Sequence, residues 1–174
     1  MQRINIVYGV VLVGLVVVLI YNYLSQPKTA YVNTIEVYNN FALKNELEEK
    51  VIKVQRARQW MLDSLKINLQ NLVKEIGNSD VKQNEKINNL EILKHQYFFK
   101  KQQFQEDNQL LAEKYTDQIW KQLNQYVKDY GQKENYEYIF GADGQGKLMH
   151  ADEAKNITEE LKQYVNNRYQ GLEN

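Results

Sequence analysis

The chain has 174 residues, and its 22 basic residues balance its 22 acidic residues, so it carries no net charge at neutral pH. This balance excludes an overall electrostatic field that would attract nucleic acid or an anionic membrane surface. The absence of cysteine excludes disulfides, thiolate metal sites, a catalytic cysteine and the lipid-bearing cysteine of a lipoprotein. With one proline and eight glycines, few turns are available, which is typical of an elongated helical protein.

The N-terminal segment is strongly apolar. From Ile4 to Leu24 the sequence is almost uninterrupted Val, Leu, Ile and Gly after a single Arg3. At ~1.5 Å per residue this run could cross a hydrocarbon core of ~30 Å. Residues 1–25 are therefore predicted to be a signal peptide or an uncleaved signal anchor, the latter holding residues 4–24 in the inner membrane with the rest exported. A buried core helix is disfavoured, because nothing else in the chain is apolar enough to surround it.

Residues 26–43 predict a short strand followed by the start of a long helix. Ala30 to Asn33 resembles an extended segment, and Thr34 with Glu36 offers capping chemistry for a helix that begins near Ile35. Apolar residues then recur every three or four positions, and this spacing predicts a heptad-like stripe along a helix. Arg58 occupies one position of the stripe. The stripe comprises Val37, Phe41, Leu47, Val51, Val54, Met61, Leu65, Leu69, Leu72 and Ile76.

A second helix of similar length follows a turn at residues 77–80. Gly77 suits a left-handed helix end, and Ser79 or Asp80 can cap the next helix. The two helices of residues 44–130 must then run antiparallel as a coiled-coil hairpin ~60 to 75 Å long. The second stripe comprises Ile87, Leu90, Tyr97, Phe104, Leu111, Tyr115, Ile119, Leu123 and Val127, and it ends at Tyr130-Gly131.

Residues 131–174 predict a small strand-rich body. Residues 136–140 and 147–151 flank a glycine-rich turn, which predicts a β-hairpin. Asn156 to Glu159 resembles a capping box that opens a closing helix. The expected fold class is thus α+β and mainly α: a long antiparallel helical hairpin on a small β-rich body. Because three short strands leave sheet edges open, oligomerisation is expected to complete this body.

No catalytic, cofactor or metal site is predicted. Gly141 to Lys147 has the spacing of a phosphate-binding loop, but Leu148 stands where Ser or Thr should hold magnesium, and a strand is expected to follow. Asp143 lacks the alternating carboxylates of a calcium loop. The two histidines, His95 and His150, have no nearby cysteine partner. Residues 156–158 match a glycosylation acceptor sequence, but a helix-capping role explains them without modification.

Aromatic residues on the helices exceed what one seam can bury. Phe98 and Phe99 point ~100° apart on any helix, so one of them can face outwards. Such residues either pack in the hairpin or contact an apolar partner, with the lysines adding non-specific attraction. The candidates for partner contact are Trp60, Met61, Tyr97, Phe98, Phe99, Lys100, Lys101 and Phe104.

The order of these features resembles the Skp/OmpH family of periplasmic chaperones. The resemblance is carried by "AYVNTIEVYNNF" at residues 30–41, the long hairpin, and "YEYIFGADGQGKLMHADEAKNIT" at residues 136–158. It implies a homotrimer whose hairpins project as tentacles around unfolded outer-membrane proteins and prevent their aggregation without ATP or another cofactor. The residues implied to build the trimer body are Tyr31, Val32, Tyr138, Ile139, Phe140, Leu148 and Met149.

A second class of function also fits the helices. A membrane-anchored coiled-coil scaffold of the envelope would explain the first 130 residues equally well, but it does not explain the strand-rich base. An enzyme is disfavoured, because no acid, base and nucleophile cluster in the sequence.

Overall fold

The computed structural model describes residues 12–21, 26–77 and 83–172. Residues 12–21 are helical. Within the described residues, no helix is both long and apolar enough to span a bilayer. The predicted signal or anchor, residues 1–25, lies partly outside the described residues.

Two strands form a parallel sheet. Strand β1 (Thr29–Asn33) pairs with β2 (Tyr138–Ala142), and Tyr31 lies opposite Phe140. The predicted β-hairpin is therefore wrong: β2 pairs with β1, and residues 147–151 form no strand. The connecting loop closes on itself, because the Asp143 carboxylate accepts hydrogen bonds from the Gln145 N–H and from Lys147 Nζ, each at 2.9 Å.

The expected single helix from Ile35 is split in two. Helix α1 (Thr34–Asn39) is capped by Asn33, whose Oδ1 accepts from the Glu36 N–H at 3.1 Å, and α2 spans Ala42–Gly77. The side chain of Asn166 occupies the break: its Nδ2 donates to the Asn40 carbonyl at 3.1 Å, and its Oδ1 accepts from the Ala42 N–H at 2.8 Å. The break lets Phe41 become fully buried.

Helices α2 and α3 (Gln83–Lys133) pack as the predicted antiparallel hairpin. The predicted tip begins where α2 ends, at Gly77, and residues 78–82 lie outside the described part. Helix α3 continues past its predicted end at Tyr130-Gly131. The chain leaves it through Asn135, which adopts a left-handed conformation with φ of 57°. Half-buried side chains at steps of three and four mark the contact between the helices, here called the seam. In α2 the seam contains Val51, Val54, Arg58, Leu62, Leu65, Leu69, Leu72 and Ile76.

The chain divides into two compact units, each with its own buried residues. One unit contains residues up to 37 and residues 126–164, and the other contains residues 38–125 and those from 165 onwards. In the first unit the buried apolar side chains are Ala30, Val32, Val37, Tyr130, Ile157, Leu161 and Tyr164. In the second they are Phe41, Leu43, Leu47, Ile119, Leu123 and Val165.

The closing helix begins where the sequence predicts. Helix α4 (Thr158–Tyr169) follows a short 3-10 turn at Glu153–Lys155. Asn156 Oδ1 accepts from the Thr158 N–H at 3.1 Å, and the Ile157 N–H donates to the Tyr31 carbonyl at 3.0 Å. The helix start is thus joined to β1, which explains the Asn-Ile-Thr sequence without modification.

Candidate functional site

Three large aromatic side chains on the hairpin face solvent. The exposed fractions are 80% for Trp60, 64% for Phe98 and 69% for Phe99. Burying such side chains gives a large favourable free energy, so leaving three of them in water on one hairpin marks a candidate contact surface. We refer to Trp60, Phe98 and Phe99 as the exposed aromatic set.

Helical geometry explains why these residues point outwards. Successive helical residues are rotated by ~100°. Trp60 lies two residues, or ~200°, from both Arg58 and Leu62, which are seam residues. It therefore points away from α3. Tyr97 and Lys100 are half-buried and mark the seam side of α3. Phe98 and Phe99 lie between them in sequence, so they project on either side of the direction that faces away from the seam.

The other aromatic candidates lie in or beside the seam. Tyr97 and Phe104 are half-buried. Phe104 lies beneath two cations, with the Arg58 guanidinium 5.5 Å and the Lys100 ammonium 5.8 Å from its ring centre. Arg58 also donates to Asn108 and lies 3.5 Å from the Asp107 carboxylate. These contacts favour a packing role for Lys100 and Phe104, whereas Lys101 is exposed.

Met61 does not occupy the stripe position that the sequence spacing gave it. Its side chain is exposed, and Leu62 is half-buried in its place. The spacing misassigned the position because Met61 and Leu62 lie three and four residues after Arg58, and both steps fit the heptad-like pattern. Met61 thus joins the solvent-facing candidates.

The seven residues expected to build an oligomeric body differ in exposure. Val32 is buried within the chain, while Tyr31, Ile139 and Leu148 are half-buried. The exposed residues are Tyr138, Phe140 and Met149, of which Met149 is 87% exposed.

Strand geometry places Tyr138 and Phe140 on the same face. Side chains two residues apart in a strand share a face, and these two rings stack with centroids 6.1 Å apart. On the opposite face, Ile139 lies beside Gly131 of α3, where an added Cβ would be 3.4 Å from Ile139 Cδ1. The two-stranded sheet consequently presents an uncovered aromatic face.

A polar cluster fixes the β1 side of this sheet. The Tyr31 hydroxyl donates to Glu153 Oε2 at 2.9 Å, and Asn156 Nδ2 donates to Glu153 Oε1 at 2.6 Å. The hydrogen bond from Asn156, followed by that from Tyr31, lowers the pKa of the Glu153 carboxyl. These polar groups bind one another, so the cluster has a structural role.

The described residues contain no group of three side chains that could hold a metal ion. In the glycine loop, a hydrogen bond from Lys147 is the main cause that lowers the pKa of Asp143. Lys147 is thus bound to its own loop, and residues 148–152 form no helix that could cradle a phosphate. The segment is a self-bonded loop, and it does not form the predicted hairpin turn, because no strand follows it.

A groove on the hairpin is not predicted by the sequence. Residues near the end of α2 and the beginning of α3 line an open groove of about 500 Å³. It contains three lysines around an apolar floor. The sequence does place Lys66 and Val73 on one face of α2, because they are seven residues, or about two helical turns, apart. Whether Lys94 of α3 lies beside them depends on the register of the hairpin, which the sequence does not give. The lining residues are Lys66, Leu69, Gln70, Val73, Lys74, Leu90 and Lys94.

Comparisons with known proteins agree on the fold. Residues 28–165 match the model of the family described as outer membrane protein (OmpH-like). A crystal structure of a Caulobacter crescentus CB15 protein assigned as an OmpH-like outer membrane chaperone is similar, with a TM-score of 0.70 and 13% sequence identity. The alignment covers 83% of this chain and 86% of that one. No curated protein matches the sequence.

Proposed function

Because this chain belongs to the OmpH-like family of outer membrane proteins, we propose that it is a holdase chaperone for unfolded outer-membrane proteins. It binds such clients in the periplasm and keeps their apolar segments and strand edges apart. Binding uses many weak contacts along the hairpin, so it needs neither nucleotide nor cofactor, and the chain has no enzymatic activity.

The exposed aromatic set is the observation that carries this proposal. Trp60, Phe98 and Phe99 are displayed on helices whose seam is already formed by other residues. Aromatic side chains offer large apolar contact areas to segments of differing sequence, and nearby Met61 adds an adaptable one. This chemistry suits partners that share hydrophobicity without sharing a sequence.

The uncovered face of the sheet supports a homotrimeric body. Tyr138, Phe140 and the highly exposed Met149 supply the apolar area that a partner copy would cover. Further copies would also cover the open edges of a two-stranded sheet. Three hairpins would then surround one client, and their combined weak contacts would slow its escape.

The proposal is tested with the purified full-length chain and a urea-unfolded outer-membrane β-barrel protein. The urea is diluted, turbidity reports aggregation, and light scattering gives the mass of the soluble complex. We expect suppressed aggregation and a complex of three copies with one client. Unchanged aggregation without a complex would refute the holdase and leave the envelope scaffold.

The trimer has its own test. We expect Tyr138→Glu with Phe140→Glu to shift the mass in solution from three copies towards one, because two carboxylates would be desolvated in the interface. Gln145→Glu with His150→Glu, at exposed positions nearby, controls for added charge. A mass unchanged from the wild type would refute a role of this face in assembly.

A further inference from the structure

The lysine groove in the hairpin combines an apolar floor with a cationic rim. Leu69 and Leu90 are half-buried seam residues, and Val73, 51% exposed, adds apolar surface. Lys66, Lys74 and Lys94 also line the groove, and none of its lining residues is acidic. Such a site matches a ligand that carries both negative charge and an apolar group.

The lysines of this groove differ from those lysines of the described chain that form ion pairs. Elsewhere, Lys50 pairs with Glu46 at 2.6 Å, Lys86 with Glu75 at 3.8 Å, and Lys162 with Glu36 at 2.7 Å. No described carboxylate lies within ion-pair distance of the Lys66, Lys74 or Lys94 ammonium groups. Among the described residues, the three lysines around this groove are thus without a carboxylate in ion-pair contact.

The spacing of the rim fits an extended polypeptide. Lys66 and Lys74 are eight residues apart on α2, or ~12 Å along the helix axis. In an extended chain, residues four apart are separated by ~13 Å and point to the same face, with the residue midway between them also on that face. Two acidic residues can therefore reach the two lysines while the middle side chain contacts Val73 and Leu69.

We propose that this groove binds client segments in which acidic and apolar side chains alternate on one face, in the order acidic, any, apolar, any, acidic. Lys94 adds a positive charge on the other helix of the hairpin. This inference rests on the proposed holdase function and names the segments that the chain prefers. It also gives a neutral chain a local source of electrostatic attraction.

The test measures fluorescence anisotropy with a labelled peptide containing two Glu-Ser-Leu-Ser-Glu repeats. A second peptide has every Glu replaced by Gln. The full-length wild type is compared with Lys66→Gln/Lys74→Gln/Lys94→Gln. The control, Lys53→Gln/Lys114→Gln/Lys121→Gln, removes the same charge from exposed positions of the same two helices, and circular dichroism checks that all three proteins are equally helical.

We expect the groove variant to bind the acidic peptide about tenfold more weakly, since three solvent-accessible charge contacts of modest strength are lost. The control variant should bind it like the wild type, and added salt should weaken wild-type binding. The neutral peptide should bind more weakly, and equally to all three proteins. Equal binding of the acidic peptide to the groove variant and the wild type would overturn the proposal.

Vesicles of anionic phospholipid test the other source of negative charge. Loss of vesicle binding in the groove variant, with peptide binding retained, would overturn the proposal and assign the lysines to lipid.

The aggregation assay separates this inference from the holdase function. If the wild type suppresses aggregation and the groove variant binds the acidic peptide as tightly as the wild type, only the groove proposal is refuted. If the wild type fails to suppress aggregation but the groove variant binds the acidic peptide more weakly than the wild type, only the holdase proposal is refuted.

Discussion

At the scale of single residues, Asn166 is expected to hold the break between α1 and α2. Asn166→Ala removes the oxygen that accepts from the Ala42 N–H and the amide nitrogen that donates to the Asn40 carbonyl. Because these backbone groups lie at the end of one helix and the start of another, we expect a loss of about 1 to 2 kcal/mol in the free energy of unfolding. Urea denaturation followed by circular dichroism measures it.

Asn167→Ala is the matched control, since this neighbouring side chain is exposed on the same helix. If both variants lose equal stability, the two hydrogen bonds do not account for the effect, because alanine is the better helix former at both positions.

A second prediction at this scale concerns acid stability. Hydrogen bonds from Lys50 and from the Tyr169 hydroxyl lower the pKa of Glu46 in the folded chain. A carboxyl with a depressed folded-state pKa stabilises the fold above its unfolded pKa, and that contribution disappears as the pH falls through the folded value. We therefore expect stability to decline below about pH 4.3 and Glu46→Gln to flatten this decline.

Denaturation midpoints measured between pH 7 and pH 2.5 give the comparison. Glu49→Gln removes a glutamate from the same helix, where the nearest cation, Lys53, is 4.0 Å away. A decline that is equally steep in the wild type and in Glu46→Gln would contradict the assignment.

At the scale of elements, the contact between α1 and β2 depends on a glycine. A Cβ added to Gly141 would lie 2.8 Å from Thr34 Oγ1, which donates to the Ala142 carbonyl at 3.3 Å. Gly141→Ala therefore forces Thr34 to rotate or β2 to move, with the loss of that hydrogen bond. We expect a cost of about 1 kcal/mol.

The double variant Gly141→Ala/Thr34→Ala tests the cause. The Thr34 Cβ would lie 3.9 Å from the added methyl group, an ordinary contact, so Gly141→Ala should cost little in this background. Additive costs in a denaturation cycle would show that the contact with Oγ1 is not responsible.

Elements held by local periodicity could be predicted from the sequence, and elements held by distant partners could not. The hairpin follows from residues such as Leu65, Leu69 and Leu72, whose spacing defines a seam without knowledge of the rest of the fold. The break before Ala42 depends on Asn166, 124 residues later, and no local signal announces it. The pairing of β2 with β1 is likewise non-local, so a nearby segment was predicted in its place.

The same distinction applies to the candidate site. Residue type alone identified Trp60, Phe98 and Phe99, and helical rotation from the seam sets their exposure. Tyr97 belongs to the same aromatic run, yet it is half-buried because it falls on the seam. The lysine groove was missed because it combines side chains of two helices whose register the sequence does not fix.

At the scale of the whole molecule, the exposed aromatic set should contribute more to chaperoning than to stability, since within the described chain only its Phe98 makes a ring contact, edge-on with Tyr97 at 5.5 Å between centroids. Trp60→Ala/Phe98→Ala/Phe99→Ala removes three large exposed side chains and inserts the best helix former, so the helices should persist. Since each lost aromatic contact weakens client binding by about 1 kcal/mol or more, we expect at least a tenfold higher concentration for half-maximal suppression of aggregation.

The control must remove apolar surface from outside the hairpin. Leu172→Ala does so, because Leu172 is exposed and lies beyond α4. Thermal denaturation of every variant separates lost binding from lost folding. If the triple variant suppresses aggregation as well as the wild type, the aromatic residues are not the client surface. If it binds poorly and also melts earlier, the exposed rings stabilise the hairpin, and their assignment to client binding fails.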